Sequence, residues 1–294
     1  MNFNDFSNTL ICKLQLFAGN EYVVETHDVS KNNGVTLHGI MAKKPDALAC
    51  PTFYIDDMYD EELTAQEIEY LALKVHRAFI ETSFECGFDV EEFLNYEKMA
   101  PLICLKLVNA ELNKDLLFDV PHRRFHNLAI VYYIYVENKA LGDFGSVLIR
   151  NQHMEDWGKS EEELYRTALE NMPKIFPKKV ASIVSILNEY YGKNFMEEES
   201  PLYILTNELK TFGASTILYP GILDELAEKF NEDFYIIPSS VHELLILPES
   251  ALDNPQNMLD ITEEINRSQV DEKEVLADSL YKYSIKDKEI IWIG

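Results

Sequence analysis

Residues 235–250 read YIIPSSVHELLILPES. The apolar runs FYII and HELLIL flank a Pro-Ser-Ser turn, which predicts two buried strands joined as a hairpin. Strands joined this closely must run antiparallel. The same stretch places Ser240, His242 and Glu243 together, which raises the question of a catalytic set. Alternate residues of a strand point to opposite faces, so His242 and Glu243 would diverge. If Ser240 instead opens a helical turn, Glu243 reaches back to its amide as a capping box. A serine triad also needs an oriented base and an oxyanion hole from separate loops. No GxSxG elbow occurs in the chain. The stretch therefore reads as scaffold.

Working outward, the same antiparallel grammar recurs. Asn33-Gly34 between β-rich segments is a two-residue hairpin signal, because both positions tolerate positive φ. PTFYI, PLICLKLV (101–108), HNLAIVYYIYV and FGSVLIR read as strands. HNLAIVYYIYV is apolar on both faces and belongs in the middle of a sheet. Further strands are expected at 202–206, 214–219, 278–284 and 288–293. Helical spacing appears at Phe3, Phe6, Leu10, Leu14 and Phe17, and again at Ile68, Leu71, Ala72, Val75 and Phe79. Thr64 with Glu67 and Ser160 with Glu163 are capping boxes. Cys86-Gly87 should end the second helix. Pro173 and Pro177 should interrupt the helix after Ser160. Val180, Ile183, Val184, Leu187 and Tyr191 should form the next one, stopped by Gly192. Helices are also expected at 221–230 and after Asp253-Asn254-Pro255. The result is an α+β fold with largely antiparallel sheets and flanking helices, in one or two subdomains. The polar stretch KNFMEEESP (193–201) is the best linker. It divides an N-terminal α+β region (1–192) from a C-terminal one (202–294).

Composition narrows the function classes. The chain has 294 residues, 47% hydrophobic and 12% aromatic, ample for a core. It carries 51 acidic and 26 basic residues, a net charge of −25, and a pI near 4.6. Such a field repels nucleic-acid backbones and anionic membranes, so neither is an expected partner. The start of the chain lacks a secretory leader pattern, and the longest apolar run, 128–136, is far short of the roughly 20 residues of a spanning helix. Cys12, Cys50, Cys86 and Cys104 form no CxxC pair and read as core thiols of a reducing compartment, hence a cytoplasmic protein.

Several stretches have the look of a known family. They are NNGVTLHGI, PTFYIDDMYD, FDVPHRRFHNLAIVYYIYV, SEEELYRTALENMPKIFP and GASTILYPGILDELAEKFNEDFYIIPSSVHELLILP. The chain resembles, from about residue 20 onward, a bacterial family found in gut Firmicutes and catalogued as domain of unknown function 5688. The resemblance fits a cytoplasmic protein. It implies no activity, cofactor or catalytic residue.

Each chemical-looking cluster has a structural reading beside it. The run YIDDMYDEE offers Asp56, Asp57, Asp60, Glu61 and Glu62, which hard cations favour. It lacks the EF-hand order, and acids just before a helix complement its positive end. Pro220-Gly221 could open an anion-binding helix start. GxGxxG, GxxxxGKS/T and HExxH do not occur, so an ordinary turn is favoured. His27, His38, His76 and His153 have no ligand spacing, and no metal or cofactor is expected. VPHRRFHN is the anomaly, because His122, Arg123, Arg124 and His126 cluster in an acidic chain. In an extended strand His122, Arg124 and His126 share one face, which could hold a carboxylate or phosphate. Pairing of the arginines with the protein's own acids is the competing reading.

Two functions follow. One is a non-catalytic protein- or peptide-binding module, favoured by the lack of nucleophile, metal and nucleotide motifs and by 16 Tyr and 16 Phe. The other is a hydrolase or transferase for a small anionic substrate. There His122 or His126 would move the proton and Arg124 clamp the anion. The sequence leans away from an enzyme.

Overall fold

The computed structural model describes residues 1–43, 52–83, 90–138, 143–192 and 200–294. The chain is α+β, and every described strand register is antiparallel. It forms two compact units, 1–99 with 135–147, and 100–134 with 148–294. Cys50, Cys86, the helix stop at Cys86-Gly87 and most of the expected linker lie outside the described residues.

In the first unit, α1 (Phe3–Ala18) and β1 (Val23–Ser30) precede β2 (Thr36–Lys43), β3 (Thr52–Tyr54) and α2 (Ala65–Ser83). Two short helices, α3 (Val90–Phe93) and α4 (Tyr96–Met99), close the first of its two stretches of chain. The sheet order is β1-β2-β3. Phe6, Leu10 and Leu14 recur at a spacing of four, so one face of α1 is apolar; with Ile68, Ala72, Val75 and Phe79 of α2 it buries Ile40 and Ala42 of β2. Each large side chain so buried contributes about 1.5–3 kcal/mol. The Thr64–Glu67 capping box forms as expected, with the Thr64 amide donating to Glu67 Oε2 at 2.8 Å. Asn33 and Gly34 both take positive φ. Their loop is longer than the two-residue turn expected, because Ser30 pairs with Thr36 and the Lys31 amide donates to the Val35 carbonyl at 2.6 Å.

The second unit opens with β4 (Ile103–Asn109), α5 (Lys114–Asp119), β5 (His122–Phe125) and β6 (Leu128–Asn138), whose residues beyond Ile134 belong to the first unit. β7 (Asp143–Leu148), which lies in the first unit up to Val147, is followed in the second by α6 (Asn151–Trp157), α7 (Glu161–Ile175), β8 (Lys178–Ser182) and α8 (Ile183–Tyr191). The chain ends with β9 (Tyr203–Asn207), α9 (Ile222–Phe230), β10 (Phe234–Ser240), β11 (Glu243–Pro248), α10 (Pro255–Gln269), β12 (Tyr281–Ser284) and β13 (Glu289–Trp292). One sheet runs β4-β6-β5, with β7 also pairing with β6; the other runs β13-β12-β10-β11-β9-β8. β6 is the central strand its two apolar faces predict, and Leu128 to Ile134 are buried throughout. β8 and β9, on either side of 193–201, are neighbours in one sheet. α7 buries Leu164, Ala168 and Met172 and packs on β4. Asn171 fixes it there by donating to the carbonyls of Ala100 and Ile103 at 2.7 and 2.9 Å.

Four local expectations are corrected. Pro173 lies inside α7 rather than ending it. It sits in the last turn, where one missing amide costs one helix bond, and the Phe176 amide closes the turn on the Met172 carbonyl at 2.7 Å. Val180 belongs to β8, and Ser182 caps α8 by accepting from the Ser185 amide. Residues 214–219, expected as a strand, mostly lie in a 3-10 helix over Gly213–Leu218. There the hydroxyls of Ser215 and Thr216 donate to the carbonyls of Phe212 and Gly213, closing local turns in place of a ladder. Finally, the Pro-Ser-Ser segment is not the turn of the opening hairpin. β10 continues to Ser240 through a register shift between Ile237 and Ser240, and the turn is Val241-His242. Proline lacks the amide a regular ladder would use, which places it at the irregularity.

Candidate functional site

Two hairpins of the second unit carry the side chains that look chemical. In the β10–β11 hairpin, Ser240 Oγ accepts from the His242 backbone amide at 3.1 Å. The ring of His242 stacks on Phe212, centroids 5.9 Å apart and planes at 11°. Its Nδ1 faces the Phe212 amide at 3.2 Å. A backbone amide only donates, so Nδ1 is the acceptor and a neutral ring carries its proton on Nε2. That nitrogen lies 3.7 Å from Glu274 Oε1. The lone pair a general base would use is therefore taken, and the serine hydroxyl oxygen is engaged by backbone. Glu243 lies in β11, in register with Ser240. The His242 carbonyl accepts from Thr206 Oγ1 at 2.8 Å. Gly213 completes the fit, since a Cβ there would overlap both the Thr206 hydroxyl and the His242 carbonyl oxygen.

The β5–β6 hairpin is built differently. Alternation along β5 sends Arg123 to the face that α7 covers. Its guanidinium donates through Nε and Nη2 to the two oxygens of Glu161, at 3.1 and 2.9 Å, and also to Glu162. The guanidinium carbon lies 4.0 Å from the centroid of the Tyr165 ring. Tyr132, fully buried, donates its hydroxyl to Glu161. The hydrogen bond to Glu161 raises the Arg123 pKa, and burial ahead of the Glu161 bond raises that of Tyr132. The cluster is a clamp between α7 and the hairpin, worth about 1–2 kcal/mol at this partial exposure.

His122 and Arg124 point the other way and are exposed. His122 Nδ1 lies 3.0 Å from the Val120 carbonyl oxygen. Arg124 has no ion-pair partner among the described residues. His126, expected on the strand, is instead the first residue of the turn, because Phe125 pairs directly with Leu128. Its φ is 54°, a conformation histidine adopts more readily than β-branched residues do. The ring packs near Phe125 and Tyr281, centroids 5.1 and 5.4 Å away, and partial burial lowers its pKa. Asn127 fixes the turn. Its carbonyl accepts from the Ala110 amide, its Nδ2 donates to Ser279 Oγ at 2.8 Å, and its Oδ1 accepts from the Tyr281 hydroxyl. The structure thus brings His122, Arg124 and His126 to one exposed hairpin and withdraws Arg123 into an ion pair.

The model of a family described as "Family of unknown function (DUF5688)" matches residues 3–285. The chain belongs to that family. Neither the curated proteins nor the solved structures contain a match.

The remaining clusters of this DUF5688 chain are structural in their contacts. Asp56 accepts from the His38 amide at 2.8 Å and lies 2.7 Å from His38 Nδ1. Asp60 accepts from the Glu62 amide at 2.8 Å. Among the described residues no group of three or more His, Cys, Asp or Glu is placed to hold a metal ion, and no helix is long and apolar enough to cross a membrane. Gly221, at φ 81°, turns the chain from the 3-10 segment into α9. Cys104 is a buried thiol whose pKa burial pushes up to about 12, while Cys12 is exposed. An apolar crevice lined by Leu107, Phe125, Leu128, Leu244 and Tyr281 has a volume of only about 10 Å³, close to the limit for one water. Sequence reading missed Glu161 and Glu274 as partners of Arg123 and His242. They lie 38 and 32 residues away in the chain, and no local pattern marks either.

Proposed function

We propose that this DUF5688 protein is a cytoplasmic, non-catalytic module that binds an acidic segment of a partner protein at 122–126. The observation that carries the reading is Arg124. It is exposed on an edge strand, flanked by His122 and His126, and without an ion-pair partner among the described residues. In a chain with 51 acids against 26 bases, internal neutralisation is the easy fate of a cation, and Arg123 follows it. The engaged Ser240 and His242 support a reading without catalysis. Overall repulsion by the net charge is screened beyond about 8 Å at physiological salt, so the local cation governs close recognition.

The test is a titration of the folded protein with an acetylated, amidated (Glu-Thr)4 peptide, with (Lys-Thr)4 and inorganic phosphate as comparators. Binding of the glutamate peptide with a dissociation constant below about 1 mM, weakened about tenfold in Arg124→Ala and unseen with the lysine peptide, supports the reading. Equal binding by wild type and Arg124→Ala, or Arg124-dependent capture of phosphate in preference to the peptide, overturns it.

A further inference from the structure

We infer that the acidic segment docks by strand addition, pairing antiparallel with the free edge of β5 so that alternate carboxylates lie opposite Arg124 and His122. This rests on the reading of 122–126 as the docking surface and adds the mode of recognition. β5 is the terminal strand of its sheet. Its ladder to β6 closes at Phe125–Leu128 across a two-residue turn, with Arg123 opposite Ile130 and His122 opposite Val131. In an antiparallel ladder, pairs that exchange hydrogen bonds alternate with pairs that do not. Phe125 and Arg123 therefore turn their amides and carbonyls toward β6, and Arg124 and His122 turn theirs outward. Among the described residues nothing takes up those outward groups. The same two residues expose their side chains. One arriving residue can thus meet both the backbone and the side chain of Arg124, and the residue two along can meet His122.

Charge selects the occupant. An unpaired strand edge recruits other strands unless something deters them, and a charged side chain is a common deterrent. Arg124 deters a second copy of β5, because antiparallel self-pairing sets the basic residues of one edge against those of the other. It also deters lysine-rich segments. An extended segment with Glu or Asp at every second position turns the same feature into attraction, with a carboxylate against the guanidinium fork.

The experiment uses N-methylated forms of (Glu-Thr)4 with the full-length protein. In the antiparallel arrangement the residues opposite Arg124 and His122 are glutamates, and their own amides bond to β5, while the threonine amides point away. N-methylation of every glutamate should abolish binding, and N-methylation of every threonine should leave it within about twofold; Arg124→Ala should weaken the parent peptide about tenfold. Circular dichroism checks that the variant is folded. If the parent peptide binds through Arg124 but both methylated forms bind equally, strand addition is wrong and the docking surface stands. If methylated threonine blocks and methylated glutamate does not, the antiparallel register is overturned. If the parent peptide fails to bind, the docking surface falls and strand addition with it.

Discussion

The hairpins β10–β11 and β5–β6 contain similar residues and use them in opposite ways. In the first, Ser240 and His242 satisfy backbone groups and an aromatic neighbour, and the imidazole has no vacant lone pair. In the second, one arginine is locked by Glu161 and its neighbour in sequence is left outward. Residue type does not separate the two cases. Alternation along the strand and the presence of an element over each face do. Histidine beside serine is engaged by its own surroundings, because Phe212, at the start of the 3-10 segment, supplies an amide to its ring. Arginine beside histidine is a candidate surface because the side chains of His122 and Arg124 stay exposed and Arg124 has no ion-pair partner among the described residues.

The strongest way to break this contrast is at Gly213. Gly213→Ala forces a methyl into the Thr206 hydroxyl and His242 carbonyl, where backbone must move, and should cost about 3 kcal/mol in urea unfolding. A loss below about 1 kcal/mol would mean that the hairpin is less tightly held than its contacts imply. His242→Ala removes the acceptor for the Phe212 amide and the stacked ring, and should cost about 1–2 kcal/mol. Arg123→Ala should cost a similar amount, about 1–2 kcal/mol, by leaving Glu161 and the buried Tyr132 hydroxyl without their cation. Arg124→Ala sharpens the comparison, because its stability should stay within about 0.5 kcal/mol of wild type. If Arg123→Ala and Arg124→Ala destabilise equally, the division between locked and outward arginine is wrong.

The smallest effect concerns the first turn of α7, which carries Glu161. The Ser160 amide, then its hydroxyl, then Lys159 hold the Glu163 carboxyl down to about 2 from an ordinary 4.5. A depressed carboxylate stabilises the fold fully above its unfolded value. That contribution should therefore be intact above pH 4.5 and vanish as pH falls through about 2. Ser160→Ala should flatten the acid limb of a stability–pH profile. An unchanged limb would show that Ser160 does not hold the Glu163 carboxyl down.

Much of this was legible in the sequence, for definable reasons. α1, α2 and α7 announced themselves through apolar spacing, and the boxes at Thr64 and Ser160 fixed two helix starts. β6 declared its central position by being apolar on both faces. The segment 213–218 misled because the β-branched Thr216 and Ile217 suit a strand, while its hydroxyls close turns that only the folded neighbourhood makes favourable. The basic cluster was visible as a charge anomaly, and strand alternation placed Arg124 with His122. The partition between the arginines was not visible, since it depends on Glu161, a residue brought near only by the packing of α7. His126 was misplaced by one step, because the turn begins at a residue able to take positive φ and nothing in the apolar run after it says so.

Asn127 ties the tip of β5–β6 to Ser279 and Tyr281, which follow it by 152 and 154 positions. On a ribosome synthesising from the amino end, those anchors emerge among the last residues of this sequence. The hairpin that presents Arg124 therefore acquires its final geometry only after Ser279 and Tyr281 have been made. A nascent chain could build its first unit early and still be unable to offer this edge, so recruitment would wait for the segment that carries Ser279 and Tyr281.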